Sequence, residues 1–302
     1  MMSATIRRIL IPALLLLPLA SCGSAIAQVR PAAAALNFGG DQVLIGSQAG
    51  LQVFTWPEMA LLRTVDCRLE MILDLCLSTD GQRVLVAGGS SGERGELQIV
   101  NPADGSNGLF CAPHSDRITQ ARWLPGEQQI LTTSDDGSAA LLNATTGEVL
   151  RRITLHSRPL LALEIFSNDQ AASAGMDGII RLWRPADGQL LRTLDNHTAP
   201  VTDLLYSAAS PPHTTPAVLY SASRDRTIRL WQPDRGRMVR FTRLNSIPEK
   251  LALTPNHQQL LAGCSDGSLH LLHATTLQLL QTHPAGSDSL GYFRKMLALT
   301  RE

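Results

Sequence analysis

A segment of about forty residues recurs along this chain, and that recurrence limits the fold more than any other feature. Met176-Asp-Gly-Ile-Ile-Arg-Leu-Trp183 aligns without a gap on Arg224-Asp-Arg-Thr-Ile-Arg-Leu-Trp231. The match runs on into Arg184-Pro-Ala-Asp-Gly188 and Gln232-Pro-Asp-Arg-Gly236. Weaker copies fall in phase at Asp136-Gly-Ser-Ala-Ala-Leu-Leu142 and Asp266-Gly-Ser-Leu-His-Leu-Leu272, and still weaker ones end at Val100 and Phe54. Taking the Trp183 position as a marker, the series is Phe54, Val100, Leu142, Trp183, Trp231 and Leu272, with spacings of 46, 42, 41, 48 and 41. A period in the low forties, without sustained helical periodicity, fits blades of four short strands.

One copy shows how the residues dictate those strands. Leu160 to Phe166 reads as a mostly apolar innermost strand, and Ser167-Asn168-Asp169 turns it. Ala171 to Gly175 is the second strand, and Asp177-Gly178 supplies a tight hairpin. Ile179 to Trp183 alternates apolar and polar, with Arg181 expected to point outward. Leu190 to Leu194 is the outer strand. The fold class read from the sequence is therefore all-β, a propeller of four-stranded antiparallel blades. A seventh marker is due only beyond the last residue, and six blades are preferred because closing the ring removes exposed sheet edges. Met296-Leu-Ala-Leu-Thr300 echoes Leu251-Ala-Leu-Thr254. Either it closes a six-bladed ring, or it begins an incomplete seventh blade.

Over residues 36–283 the chain resembles the WD-repeat propellers. That resemblance implies a buried tetrad in each blade: a histidine before the innermost strand, a serine or threonine in the second, an aspartate at the hairpin, and the marker tryptophan. One copy supplies His156, Ser173, Asp177 and Trp183, and the next supplies His197, Ser221, Asp225 and Trp231. A third has His114, Thr132 and Asp136, with Leu142 in place of tryptophan. The copy ending at Leu272 keeps Asp266 but has Ala262 for the serine, and the first two copies have no tetrad. Arg184 or Gln232 follows the tryptophan where the family has aspartate. In-phase recurrence assigns these histidines and aspartates to structure rather than to catalysis.

The first thirty residues read as an address. Arg7 and Arg8 precede an apolar run from Ile9 to Ala20, the length of a signal h-region and short for a bilayer span. Leu19-Ala20-Ser21-Cys22 resembles a bacterial lipobox, which would make Cys22 the lipid-bearing N-terminus. Ala25-Ile26-Ala27 fits ordinary cleavage after residue 27. Lipidation is preferred, because the cysteine directly follows the apolar run. Residues 1–21 are then signal, 22–32 tether, and 33–302 a single propeller domain. Gly23 after the cysteine implies, by resemblance to diderm lipoproteins, the periplasmic side of the outer membrane; a soluble periplasmic protein is the alternative. Losing Arg7 and Arg8 leaves 24 basic against 26 acidic residues. That balance argues against nucleic acid as a partner and limits membrane attachment to the lipid.

Reactive constellations are scarce. Gly88-Gly-Ser-Ser-Gly92 matches the nucleophile-elbow pattern but falls between two expected strands, Arg83 to Ala87 and Glu96 to Val100, where it reads as a flexible loop. No phosphate loop, dinucleotide fingerprint or metal-ligand spacing is present, so no cofactor and no metal is expected. Cys76 and Cys264 read as buried thiols. Cys67 and Cys111 sit near ends of neighbouring outer strands, and a disulfide between them stays open.

What remains is a face. In propellers of the resembled family, partners engage the loops before the innermost strands and the hairpins within blades. On this chain those positions hold Arg68, Glu93, Arg94, Arg117, Asp135, Arg158, Met176 and Arg224. Arginine suits interfaces through its planar, bidentate fork. The expected function is a non-enzymatic protein-interaction platform in the bacterial envelope, its partner an unidentified envelope protein. Two alternatives stand beside it: a small-molecule sensor or enzyme at the central channel, and an outer-membrane assembly lipoprotein. The known assembly propellers carry a different repeat signature.

Overall fold

The structure, a computed structural model, describes residues 33–36, 42–47, 50–55, 58, 60–208, 216–254 and 256–284. The expected signal segment with Cys22, residues 210–215, and Met296–Thr300 lie outside the described residues.

The described chain forms six four-stranded antiparallel sheets, each a simple up-and-down meander. The first blade is β1 (Ala33–Leu36), β2 (Gln42–Ser47), β3 (Gly50–Thr55) and β4 (Leu61–Val65). The second is β5 (Ile72–Leu77), β6 (Val84–Ser90), β7 (Arg94–Val100) and β8 (Asn107–His114). Then come β9 (Ile118–Trp123), β10 (Gln129–Ser134), β11 (Ala139–Asn143) and β12 (Val149–Ile153). The fourth blade is β13 (Leu160–Ser167), β14 (Gln170–Gly175), β15 (Ile180–Trp183) and β16 (Leu190–Leu194). The fifth is β17 (Val201–Ser207), β18 (Val218–Ser223), β19 (Thr227–Gln232) and β20 (Arg237–Arg243), with a short 3-10 turn at Pro233–Arg235. The sixth is β21 (Pro248–Leu253), β22 (Gln259–Cys264), β23 (Leu269–His273) and β24 (Leu279–His283). The molecule is a six-bladed, all-β propeller.

Its core lies between blades rather than within them, because each flat sheet must bury both faces on its neighbours. Trp183 of the fourth blade packs with Leu131, Leu141 and Ile153 of the third. Trp231 of the fifth packs with Ala172, Ile180 and Leu182 of the fourth. Leu142 and Leu272 fill the same position against the second and fifth blades. From the second blade to the sixth, the marker is thus the side chain a blade inserts into the one before it, Val100 packing with Leu44 and Leu51 of the first. A register shift next to the marker recurs on the outer pairing, at Val53/Phe54, Leu141/Leu142, Leu182/Trp183, Leu230/Trp231 and Leu271/Leu272. Such bulges raise the local twist and bend the outer strand.

Candidate interaction face and central channel

Four strands running down, up, down and up place the hairpin between the second and third strands on the same side as the loop entering the innermost strand. A repeated bond locks the two together. An N–H at the end of the second strand donates to the carbonyl just before the innermost strand: Gly89 within β6 to Met71, and the first hairpin residue in four blades, Asp135 to Arg117, Met176 to Pro159, Arg224 to Pro200 and Ser265 to Ile247, at 2.8–3.0 Å. Five blades therefore present their loops at one fixed height.

Beneath these loops lie the tetrads. His156 Nδ1 donates to Asp177 at 3.0 Å, and its Nε2 accepts from the Ser173 hydroxyl at 2.8 Å. The Trp183 indole N–H donates to that hydroxyl at 2.9 Å. His197, Asp225, Ser221 and Trp231 repeat the arrangement at 2.8, 2.7 and 2.8 Å. His114 lies 2.9 Å from both Asp136 and Thr132, and with Leu142 in place of tryptophan, Thr132 turns to the Ala140 carbonyl instead. The donor chain Trp→Ser→His→Asp leaves every member satisfied with a neutral imidazole and an ionised carboxylate.

The groups titrate accordingly. Burial works against ionisation of Asp177, but hydrogen bonds from His156 and Arg181 outweigh it and hold the carboxyl below the usual carboxylate range. Asp225 and Asp136 are held low in the same way, by His197 with Thr227 and by His114 with Ser138. Burial lowers His156 and His197 in turn, and the nearby guanidinium of Arg181 or Arg229 adds to it.

Serine, histidine and aspartate at these distances have the geometry of an acyl-transfer triad. Here the serine is buried and its oxygen already receives an indole N–H, so no substrate carbonyl can approach it. The elbow-like segment is likewise no nucleophile turn. β6 runs through Gly88 and Gly89 to Ser90, β7 begins at Arg94, and no helix follows. A Cβ on Gly88 would stand 1.8 Å from the Met71 carbonyl oxygen. Gly88, Gly89 and Ser90 of the expected loop are a buried, tightly seated strand end, while Ser91 and Gly92 form an exposed turn; the Ser90 hydroxyl donates to the Glu70 carboxylate.

The sequence-derived face residues differ in their freedom. Arg117 spends its guanidinium on Asp135, at 2.6 and 3.1 Å. Arg94 is paired with buried Glu96 at 2.8 Å, and Arg68 stacks over Phe110 at 5.4 Å. Glu93, Arg158 and Arg224 are exposed and Met176 is half-buried. Arg158 and Arg224 are thus the face arginines left available to a partner; the electrostatic neighbour of Arg224 is Glu249.

Some contributors escaped the sequence reading. Arg181 does not point outward: it turns back to Asp177 at 2.5 Å. Arg229 repeats this toward Asp225 at 3.4 Å, and Arg152 reaches Ser138 at 3.1 Å. Arg181 and Arg229 stand two residues before the marker in both strong copies, which was the available signal. The second missed set lines the channel. Asp74 accepts the Ala121 N–H at 2.9 Å, Gln120 accepts that of Leu163 at 2.6 Å, and Asp203 accepts that of Leu251 at 2.9 Å. Each side chain bridges its innermost strand to the next blade. Gln120 also reaches Asp203 at 3.4 Å. The four described cysteines are free thiols. Cys67 packs between the first and second blades and Cys111 between the second and third, so the disulfide left open by the sequence is not formed. Cys264 is buried, but Cys76 is only half-buried.

At the opposite mouth of the channel lies a cavity of about 510 Å³, walled by Leu75, Leu77, Trp123, Phe166 and Tyr206 with Arg122 and Glu164 among its polar groups. Phe166 and Tyr206 stack at 4.1 Å.

Residues 188–232 match the family described as WD domain, G-beta repeat. Two curated relatives are similar in part. COMPASS component SWD3 of Saccharomyces cerevisiae is 25% identical over 144 residues, 44% of this chain and 44% of that protein. Ribosome biogenesis protein YTM1 of Candida albicans is 30% identical over 105 residues, 30% of this chain and 22% of that protein. The matched part spans less than half the length of either relative. These likenesses support a WD-repeat propeller, and with it a protein-interaction scaffold.

Proposed function

We propose that this chain is a non-enzymatic interaction platform of the bacterial cell envelope, exported and held by lipid on Cys22 at the periplasmic side of the outer membrane. The observation that carries the platform is the bond from the end of the second strand to the entering loop, repeated in five blades. It fixes Arg158 and Arg224 on one rigid surface, where ordering them costs a partner little entropy. The address rests on Leu19-Ala-Ser-Cys22 directly after the apolar run. The partner is an envelope protein that brings carboxylates to those two arginines.

Crosslinking in intact cells tests the platform. Arg158→Ala with Arg224→Ala should remove the crosslinked partner and leave thermal unfolding unchanged; a partner retained at full yield would exclude this face. Recovery of β-barrel assembly proteins as the partner would turn the reading to the assembly lipoprotein. Globomycin should block processing if Cys22 is lipidated. Unaffected processing would instead mean cleavage after Ala27 and a soluble periplasmic protein.

The cavity at the far mouth favours a second reading, a small-molecule sensor or enzyme at the channel. Apolar walls with a few convergent polar groups are the usual form of a ligand site. A metabolite that raises the melting temperature, with the rise lost in Trp123→Ala, would support it over the platform.

A further inference from the structure

We infer that the outer edge of the fifth blade is a docking strip for an extended, acidic segment of a partner protein, which adds to β20 as a fifth strand. This surface is separate from the loop face and stands whether or not that face binds.

The charge distribution comes first. Residues 224–243 hold arginine at 224, 226, 229, 235, 237, 240 and 243, against Asp225 and Asp234, in a chain whose basic and acidic residues are equal overall. Arg229 is spent internally on Asp225, and Asp225 is buried. Arg226, Arg235, Arg237, Arg240 and Arg243 are exposed. Among the described residues none of these five has a carboxylate within ion-pair distance; Arg237 bonds only Gln232, at 2.8 Å. They run the height of the blade, from Arg226 and Arg243 at the loop face to Arg235 and Arg237 at the other end.

The backbone supplies the second half of the argument. Among the described residues β20 pairs with β19 alone, so its outer edge offers a row of N–H and C=O groups to an incoming strand. It is seven residues long, where β4, β12, β16 and β24 have five; β8, with eight, carries no arginine. The register puts Phe241 opposite Arg229 and Arg243 opposite Thr227, on the face toward the fourth blade. Arg240 lies opposite Leu230 and Arg237 opposite Gln232, on the other face. Phe241 is 55% exposed and Val239 43%. An added strand would therefore meet arginine on both faces and one exposed ring. That pattern fits a segment with aspartate or glutamate on both faces about one apolar residue, because cross-strand neighbours pair by opposite charge or by apolar contact. Arginines on an edge also repel a second copy of the same strand, so self-pairing is disfavoured. Arg226 adds to the strip from a left-handed backbone conformation, φ 65°, where the sister hairpins carry Gly137, Gly178 and Gly267.

The test uses the full chain and a fluorescent peptide in which pairs of glutamates alternate with pairs of valines around one phenylalanine, so that carboxylates stand on both faces of the strand. Three companions are measured with it: the lysine version, the same peptide N-methylated at alternate residues, and a single-stranded oligonucleotide of equal charge. The acidic peptide should bind and the lysine version should not. N-methylation and Arg240→Glu with Arg243→Glu should each weaken binding by about tenfold or more, since one removes ladder donors and the other reverses charge. Arg158→Ala with Arg224→Ala should have no effect. No binding of the acidic peptide overturns the proposal. So does equal binding of the N-methylated peptide, or tighter binding of the oligonucleotide, since either would mean charge attraction without strand addition. The N-methylation comparison uses the unaltered protein, so it decides even if the charge-reversed variant fails to fold.

Discussion

Trp183 donates its indole N–H to the Ser173 hydroxyl at 2.9 Å, and the two side chains are on paired strands of one blade. The same oxygen donates to His156, so one atom joins the third strand to the loop before the first. Ser173→Ala strands a buried indole N–H and a buried imidazole nitrogen. The expected cost is about 1–3 kcal/mol, read as a lower urea midpoint with an unchanged slope. Ser221→Ala should behave alike. A midpoint unmoved in both variants would mean the polar chain does not hold the blade.

Acid should weaken the protein in two stages. His156 and His197 have folded pKa values below their unfolded ones, so the unfolded chain takes up their protons first. Their contribution is full above about pH 6.5 and is lost as pH falls below it. Asp136, Asp177 and Asp225 are also held low, so their contribution is full above about pH 4 and is lost as pH falls further. Urea midpoints across pH should therefore be level near neutrality, decline from about pH 6.5 and steepen below about pH 4. Asp177→Asn with Asp225→Asn should lower the neutral midpoint and flatten the acid limb. An acid limb of unchanged steepness in that variant would refute the assignment.

Arg226 should be replaceable with profit to stability. It holds φ 65°, which crowds the Cβ of any side-chain-bearing residue. Arg226→Gly is expected to raise stability by about 0.5–1 kcal/mol, after allowing for the flexibility glycine adds to the unfolded chain. Thermal melting measures this directly, and a lower melting temperature would show that its side chain contributes more than its backbone costs.

The blade was legible because its determinants recur in one chain. Trp183 and Trp231 align without a gap, and His156, His197, Asp177 and Asp225 keep their phase, so local pattern and fold agree. Polar partners that act between blades were not legible. Asp74, Gln120 and Asp203 look like ordinary polar residues in an inner strand; their role appears only once the next blade supplies the N–H of Ala121, Leu163 or Leu251. Arg181 was misread because strand alternation gives the direction of Cβ, while a long side chain can fold back over its own turn to a carboxylate. On the candidate face, the sequence could place Arg117 and Arg158 at equivalent loops but could not show that only Arg117 has an aspartate in reach.

The channel bridges should matter more than their surface-like chemistry suggests. Gln120 accepts the Leu163 N–H at 2.6 Å between the third and fourth blades. Gln120→Ala leaves that buried N–H without its acceptor and should cost about 1–3 kcal/mol. Gln120→Glu keeps an acceptor but sets a second carboxylate near Asp203, so it should rescue only part of the loss at neutral pH and more of it in mild acid, where the new carboxyl protonates. Equal midpoints for the two variants at both pH values would mean the Gln120 side chain does not serve as that acceptor.

Two thiols give a last, chemical check on interblade packing. Burial pushes Cys67 and Cys111 each up to about 11. At pH 8 the thiolate fraction, and with it the alkylation rate, should be about two orders of magnitude below that of an exposed cysteine. Iodoacetamide labelling of the native protein, mapped by peptide mass, should leave both unmodified while urea-unfolded chain labels fully. Because the two lie in different interblade cores, mass mapping without reductant should also find them unlinked. Rapid native labelling of Cys67 with Cys111 still protected would show the first two blades opening separately from the third. Rapid labelling of both would contradict the packing of the second blade on each side.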